Sequence, residues 1–387
     1  MKVSLGDPVV VAVSKVNERV WGVHQFPALS RLPDGRILLM WHDAPDADYA
    51  HGSPGPAVVS ADQGVSWQPF SGPPVPARPH FSVSEVFDGE YLVVPSRHYL
   101  NVKDAGVAMP EPRSLADCYG KLMHYRLEDF PQSVQDYFTH LECSRYLPRD
   151  GAWHEQTVVY EHRNVLAWKR EGSDFLCRTY FERPLLKYNG QLLYADYRGR
   201  FALDDGFVPA KGSTTLMVSS DNAHSFQRRA TIAADRSGKD LFGEPVLAPT
   251  ADGRLVCVLR RADQDQKPMA INWSDDGGRT WTAPRDLCEF GVFPGLQLLG
   301  NGVLALSYGR PGVWMRFAVD GAGLEWSDPL AIIPGDPAVK YDHSCGYTSL
   351  LPISDDELLL AYSDFQHRDV EGNTRKAILA RRVRVRR

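Results

Sequence analysis

An all-β chain of short four-stranded sheets set radially, a β-propeller, is predicted by two repeated features of the sequence. The first is a strand, an Asp-Gly or Asn-Gly turn and a second apolar strand, as in Phe26-Pro27-Ala28-Leu29 followed by Pro33-Asp34-Gly35-Arg36-Ile37-Leu38-Leu39. The second is a closing turn of the form S-x-D-x-G-x-[ST]-aromatic, present as Ser60–Trp67 and Ser274–Trp281 and in weaker form as Ser219–Phe226. In such a turn Asp accepts backbone N–H bonds, Gly takes positive φ and the aromatic ring is buried between sheets.

Taken along the chain, the units run over about 24–70, 80–130, 176–231, 240–288, 289–333 and 342–387. Glu244-Pro245-Val246-Leu247 with Asp252-Gly253 opens one of them, and Arg183-Pro184-Leu185-Leu186 with Asn189-Gly190 opens another. The sum is six blades in one domain covering 1–387. Val9–Val13 is expected to pair with the apolar–Arg alternation of 377–385 and so close the ring. The stretch 131–175 lacks both repeated features and is read as an insertion; it is blade-sized, so seven blades is the alternative count.

Composition narrows the function classes. The 387 residues carry 43 Lys+Arg against 48 Asp+Glu, a formal charge of −5, with 43% hydrophobic residues, which suits a well-cored protein and does not suit nucleic acid as main partner. No window approaches the length of a membrane span. Six scattered cysteines without a C-x-x-C pair, and a start interrupted by Asp7-Pro8, are read as reduced thiols in a cytoplasmic protein. No metal motif and no phosphate or dinucleotide loop is present, so no cofactor is expected.

Residues just ahead of each innermost strand converge on the propeller axis. Here those positions hold His24, Gln25, His80, Glu182, Arg183, Glu244, Phe293, Asp342, His343 and Tyr347. Titratable groups gathered at an axis need partners, and a polar site supplies them.

With these residues in view, the chain resembles the sialidase (neuraminidase, Asp-box) superfamily over nearly its whole length. The closing turns are similar to Asp boxes, which are structural. Glu244 and Arg260 bracket the fourth unit's hairpin, Arg310 follows Ser307-Tyr308-Gly309, and Tyr347 lies in Gly346-Tyr347-Thr348. The resemblance implies Tyr347 as nucleophile, Glu244 as its base and Arg260 and Arg310 as anchors for a substrate carboxylate. It places the acid/base aspartate in the loop after the first unit's second strand, where Asp43, Asp46 and Asp48 stand and Asp48 fits best. Gln25 departs from the family, which has arginine there. Glutamine brings no charge and no bidentate fork, a loss of about 2–4 kcal/mol for a desolvated carboxylate.

The activity this implies is exo-hydrolysis of a terminal acidic sugar from an oligosaccharide or glycoside, with His24, His80, Arg183, Gln25 and His343 as further contacts. An anionic sugar repels a carboxylate nucleophile, which is the reason for a tyrosine. Two alternatives use the same fold: a lyase acting on a uronate such as rhamnose-glucuronate, with the histidines His24, His80, His154 and His343 as base or acid, and a non-catalytic sugar-binding propeller. Trp153, Trp168, Phe293 and Trp314 are expected at the mouth to stack on sugars in each case.

Overall fold

The computed structural model describes residues 1–47, 55–70, 83–94, 99–161, 163–261 and 266–387. The described residues are nearly all β, with a single α-helix, Gln132–Thr139. Sheet I holds Val23–Arg31, Ile37–Asp43, Ala57–Ser60 and Gln68–Pro69; sheet IV holds Gly243–Pro249, Leu255–Arg260, Met269–Ser274 and Arg285–Cys288; sheet V holds Val292–Leu298, Leu304–Gly309, Val313–Ala318 and Leu330–Ile333. Each is an antiparallel meander in chain order. Sheet VI pairs Thr348–Ser354, Glu357–Arg368 and Thr374–Arg386 with both N-terminal strands, Lys2–Leu5 and Val9–Val13. The arginines of its last strand bond carbonyl groups: Arg382 those of Asp62 and Gln63, and Arg381 that of Gly6.

Sheets II and III differ from the expectation. Sheet II takes Ser84–Glu85 and Tyr91–Val93, then draws its outer strands from His140–Leu147 and Ala152–Tyr160. Sheet III, with Leu186–Tyr188, Gln191–Asp196, Ser213–Ser219 and Ser225–Ala234, joins it edge to edge through a parallel Val159–Ser225 and Tyr160–Phe226 pairing. The stretch 131–175 is therefore divided between two sheets and does not stand apart as an insertion. An additional sheet of Tyr99–Asn101, Ser114–Asp117, Lys121–Arg126, Val165–Arg170, Phe175–Cys177 and Arg200–Phe201 is what interrupts sheet II. Burial alternates along His140–Leu147 as in a half-buried strand: Leu141, Cys143 and Arg145 face inward and the residues between do not.

Apolar faces of successive sheets pack on one another. Leu38 and Met40 of sheet I meet Val93 of II, Leu216 of III meets Leu255 of IV, Ile271 of IV meets Leu306 of V, and Phe317 of V meets Leu360 of VI. Leu359 and Ala361 of VI return to Leu39 and Trp41 of I. The first strand of each sheet lies innermost, and a cavity of about 230 Å³ runs between these strands along Pro27–Leu29, Pro184–Leu186, Pro245–Leu247, Gly295–Gln297 and Ser349–Pro352.

Three closing turns share one geometry. In the turn at Asp276, Oδ1 accepts the N–H groups of Arg279 and Thr280 at 2.9 Å and the Ser274 hydroxyl at 2.9 Å, while Oδ2 accepts the Thr280 hydroxyl at 2.7 Å. The turns at Asp62 and Asp221 repeat this pattern with Ser60, Ser66, Ser219 and Ser225. The turn at Asp320 uses four backbone N–H groups instead. Asp276→Ala removes these acceptors at once and is expected to lower stability by about 1–2 kcal/mol, read as a lower midpoint in denaturant at unchanged slope.

Candidate functional site

Glu244 precedes Pro245 at the inner end of sheet IV, where the pairing with the next strand slips between Gly243 and Val246. Its φ of 48° is a left-handed conformation that costs a non-glycine residue about 1–2 kcal/mol. Phe26 before Pro27 (φ 54°) and Phe293 before Pro294 (φ 39°) repeat this bulge in sheets I and V. The bulge turns one side chain per sheet toward the axis.

Those side chains meet. The Tyr347 ring stacks on Phe293 with centroids 4.4 Å apart and planes 3° apart, and Phe26 lies against it at 4.7 Å. The Arg183 guanidinium covers the Phe293 ring at 3.9 Å. Beside this stack the Tyr347 hydroxyl donates to Glu244 Oε1 in a short hydrogen bond. Arg260 Nη1 donates to the same oxygen at 2.7 Å, and the Phe293 N–H donates to Oε2 at 2.8 Å. Glu244 and Arg260 are each only 6% exposed. Burial by itself raises the Glu244 carboxyl, but the Arg260 charge, the Tyr347 hydroxyl, Arg310 and the Phe293 N–H outweigh it and hold the group below the usual carboxylate value. Burial and then the Glu244 charge push Tyr347 well above the ordinary tyrosine value. Glu244 is thus a charged acceptor facing a protonated phenol.

The Arg310 guanidinium lies 5.5 Å from the Tyr347 ring centre, with the Trp21 and Tyr341 rings at 5.1 and 5.4 Å. Its Nε and Nη2 donate to the Cys345 carbonyl oxygen at 3.0 and 2.8 Å, and among the described residues no carboxylate pairs with it. Gly346, at φ +77°, lets these segments approach: a Cβ there would sit 2.4 Å from the Arg310 nitrogen.

The other expected residues divide into those at the axis and those away from it. Gln25 is fully buried beside Phe26, and among the described residues both of its amide atoms lack a hydrogen-bond partner. His24 pairs through Nδ1 with Asp43 Oδ1 at 2.7 Å, and this hydrogen bond more than offsets burial in keeping Asp43 below its ordinary value. Arg183 Nη2 is buried with no hydrogen-bond partner among the described residues. His343 sits in the loop before Cys345, its Nδ1 buried and likewise without a hydrogen-bond partner among the described residues. Asp48 and His80 lie outside the described residues. His154 is on an outer strand of sheet II, paired with Asp150. Trp153 packs on Tyr146 in that sheet, Trp168 is buried under Arg200, and Trp314 is on the third strand of sheet V against Phe290. Of the four aromatics expected at the mouth, Phe293 alone joins the stack, because the tryptophans lie on strands away from the axis.

Tyr119 was not anticipated, and Glu182, expected at the axis, has partners there that were not. Tyr119, in the turn between Ser114–Asp117 and Lys121–Arg126 of the additional sheet, places its hydroxyl oxygen on Arg260 Nη2. Burial above all raises its hydroxyl to about 12, so it stays a neutral phenol. Glu182 forms a second buried ion pair, accepting from Arg198 Nη2 at 2.9 Å and from the Tyr180 hydroxyl at 2.5 Å. The Arg198 N–H is fixed by Asp196, which also accepts from Gly199 N–H and the Thr179 and Tyr160 hydroxyls. No metal-ligand cluster is found among the described residues. All six cysteines are buried, and no described helix is long and apolar enough to cross a membrane.

Solved structures share this all-β architecture. A protein of unknown function from Dyadobacter fermentans is similar at a TM-score of 0.62 and 19% identity, with 99% of each chain covered. The Penicillium chrysogenum α-L-arabinanase complexed with arabinobiose follows at 0.57 and 13% identity, covering 97% of this chain and 98% of that one. A sialidase from Streptococcus pneumoniae is similar at 0.51 and 13% identity over 98% of this chain and 70% of its own. No protein-family model and no curated sequence matches the chain.

Burial pushes Asp196 up to about 6 against its hydrogen bonds. The folded chain therefore binds this proton more tightly than the unfolded one, and stability falls by about 2–3 kcal/mol as pH rises from about 4 to about 6. Asp196→Asn is expected to flatten that slope in denaturation series across the same window.

Proposed function

We propose that the chain is an exo-acting glycoside hydrolase with one active site on the axis of a six-bladed ring, sheets I to VI being the blades. The reading is carried by one observation: the Tyr347 hydroxyl donates to a buried Glu244 carboxylate that Arg260 and the Phe293 N–H hold in place. In this reaction the Tyr347 oxygen attacks the anomeric carbon as its proton passes to Glu244, and the leaving oxygen takes a proton from an acid, the role expected of Asp48. Water then gives a proton back to that acid's conjugate base as it displaces Tyr347 from the sugar, and the proton on Glu244 returns to the phenol. With the phenol held well above its ordinary value, attack and proton transfer belong to one step. The sugar carries an acidic group, assigned to Arg310, whose hydrogen bonds go to a neutral carbonyl; Arg260 is already neutralised by Glu244, and Arg183 lies against the face of the Phe293 ring.

A second reading rests on the Glu182–Arg198 pair. Two buried carboxylates, Glu182 and Glu244, both act on Arg183 and Tyr197, which suits two-carboxylate hydrolysis of a neutral sugar. The arabinobiose bound by the Penicillium neighbour is such a sugar.

Aryl glycosides of sialic acid, glucuronic acid and L-arabinofuranose separate the readings. The expected outcome is release of aryl alcohol from an acidic glycoside, reduced at least about a thousandfold by Tyr347→Phe and by Glu244→Gln, each folded at the assay temperature with the wild-type circular-dichroism spectrum though melting lower. Near-wild-type turnover in Tyr347→Phe together with its loss in Glu182→Gln establishes the two-carboxylate reading. Growth of near-ultraviolet absorbance from an unsaturated uronate marks a lyase instead.

A further inference from the structure

Arg260 is closed on two sides. Nη1 is bonded to Glu244 and Nη2 to the Tyr119 oxygen, and the Arg260 charge is matched by Glu244. Tyr119 is not a loosely held group. Its ring packs against Cys118, Leu122, Trp168 and Cys177, and the turn that carries it is braced by Asp117–Lys121 pairing and by the Cys118 N–H bond to Gly120. A carboxylate arriving at Arg260 would have to displace this phenol. It would also place a second negative charge beside Glu244 in a buried corner, with one cation between two anions. A sugar hydroxyl carries no such penalty.

We propose that Tyr119 is a specificity-determining residue: it occupies Arg260 so that no substrate carboxylate binds there, and the acidic group of the sugar is left to Arg310. The substrate class is then a glycoside whose single carboxylate meets one arginine and whose hydroxyl groups face the Arg260–Tyr119 corner. Arg260 itself presents no open fork there, since Nη1 and Nη2 are both engaged. The inference rests on the pocket being a sugar site, and its test reads binding without turnover, so it fails separately from the hydrolytic reading.

The probes are 2,3-didehydro-N-acetylneuraminic acid and its methyl ester, titrated calorimetrically into wild type and Tyr119→Phe. The phenylalanine keeps the ring packing and removes only the oxygen on Arg260. The expected result is a roughly tenfold or larger gain in affinity for the acid in the variant, with the ester unchanged. An acid affinity that is unchanged, lower or unmeasurable in the variant overturns the proposal. Tyr119→Leu, which also preserves apolar packing, replaces the phenylalanine variant if that one melts early.

Discussion

A carboxylate that is almost wholly buried has to be compensated where it stands, and Glu244 is compensated from three parts of the chain. Arg260 comes from the next strand of its own sheet, the Phe293 N–H from sheet V and the Tyr347 hydroxyl from sheet VI. Removing any one leaves a charge in low dielectric with too few donors, a situation that costs several kcal/mol. The site can therefore exist only if three sheets arrive at the axis in fixed register. The apolar packing of IV on V and V on VI is what delivers them.

The inner strands show how a repeated fold accommodates a single site. An X-Pro step recurs at Phe26-Pro27, Arg183-Pro184, Glu244-Pro245 and Phe293-Pro294. In sheets I, IV and V it carries a positive φ and a slip in pairing, so the side chain ahead of proline leaves the sheet and points to the axis. The backbone device is the same in each sheet, and chemistry is varied by changing one residue: an aromatic in two sheets, a carboxylate in another. The aromatic members then do a second job, since Phe293 and Phe26 flank Tyr347 and fix the ring whose oxygen must face Glu244.

Most of the inner half of the fold was legible, because its signals are local. Asp-Gly turns mark hairpins through φ > 0, and alternation marks the buried face, so the strands around Glu244, Arg260, Arg310 and Tyr347 could be placed from spacing alone. The outer half of sheet II was not, since its strands at 140–160 are separated from 84–93 by the additional sheet, and no local pattern records which edge a strand joins. Tyr119 was illegible for the same reason. Its turn is recognisable at Gly120, but the bond to Arg260 spans 141 residues and depends on how the additional sheet lies over sheet IV. His154 and the three tryptophans were misplaced because residue type alone suggested a pocket, while their strand positions put them outside it.

Two buried Tyr–Glu–Arg groups stand near the axis, and their construction differs in a way that bears on chemistry. Tyr180, Glu182 and Arg198 come from one short stretch around sheet III and are further tied down by Asp196. Such a local triple stabilises the sheet it belongs to whether or not a ligand is present. Tyr347, Glu244 and Arg260 combine residues more than 100 positions apart, at a left-handed backbone position that is costly to maintain. Strain of this kind persists only where the surrounding structure over-determines it, and packing alone gives no reason to seat a phenol on an already paired carboxylate. The asymmetry is what favours the proposal that the second group is the reactive one, with the first as a support for the neighbouring wall of the pocket.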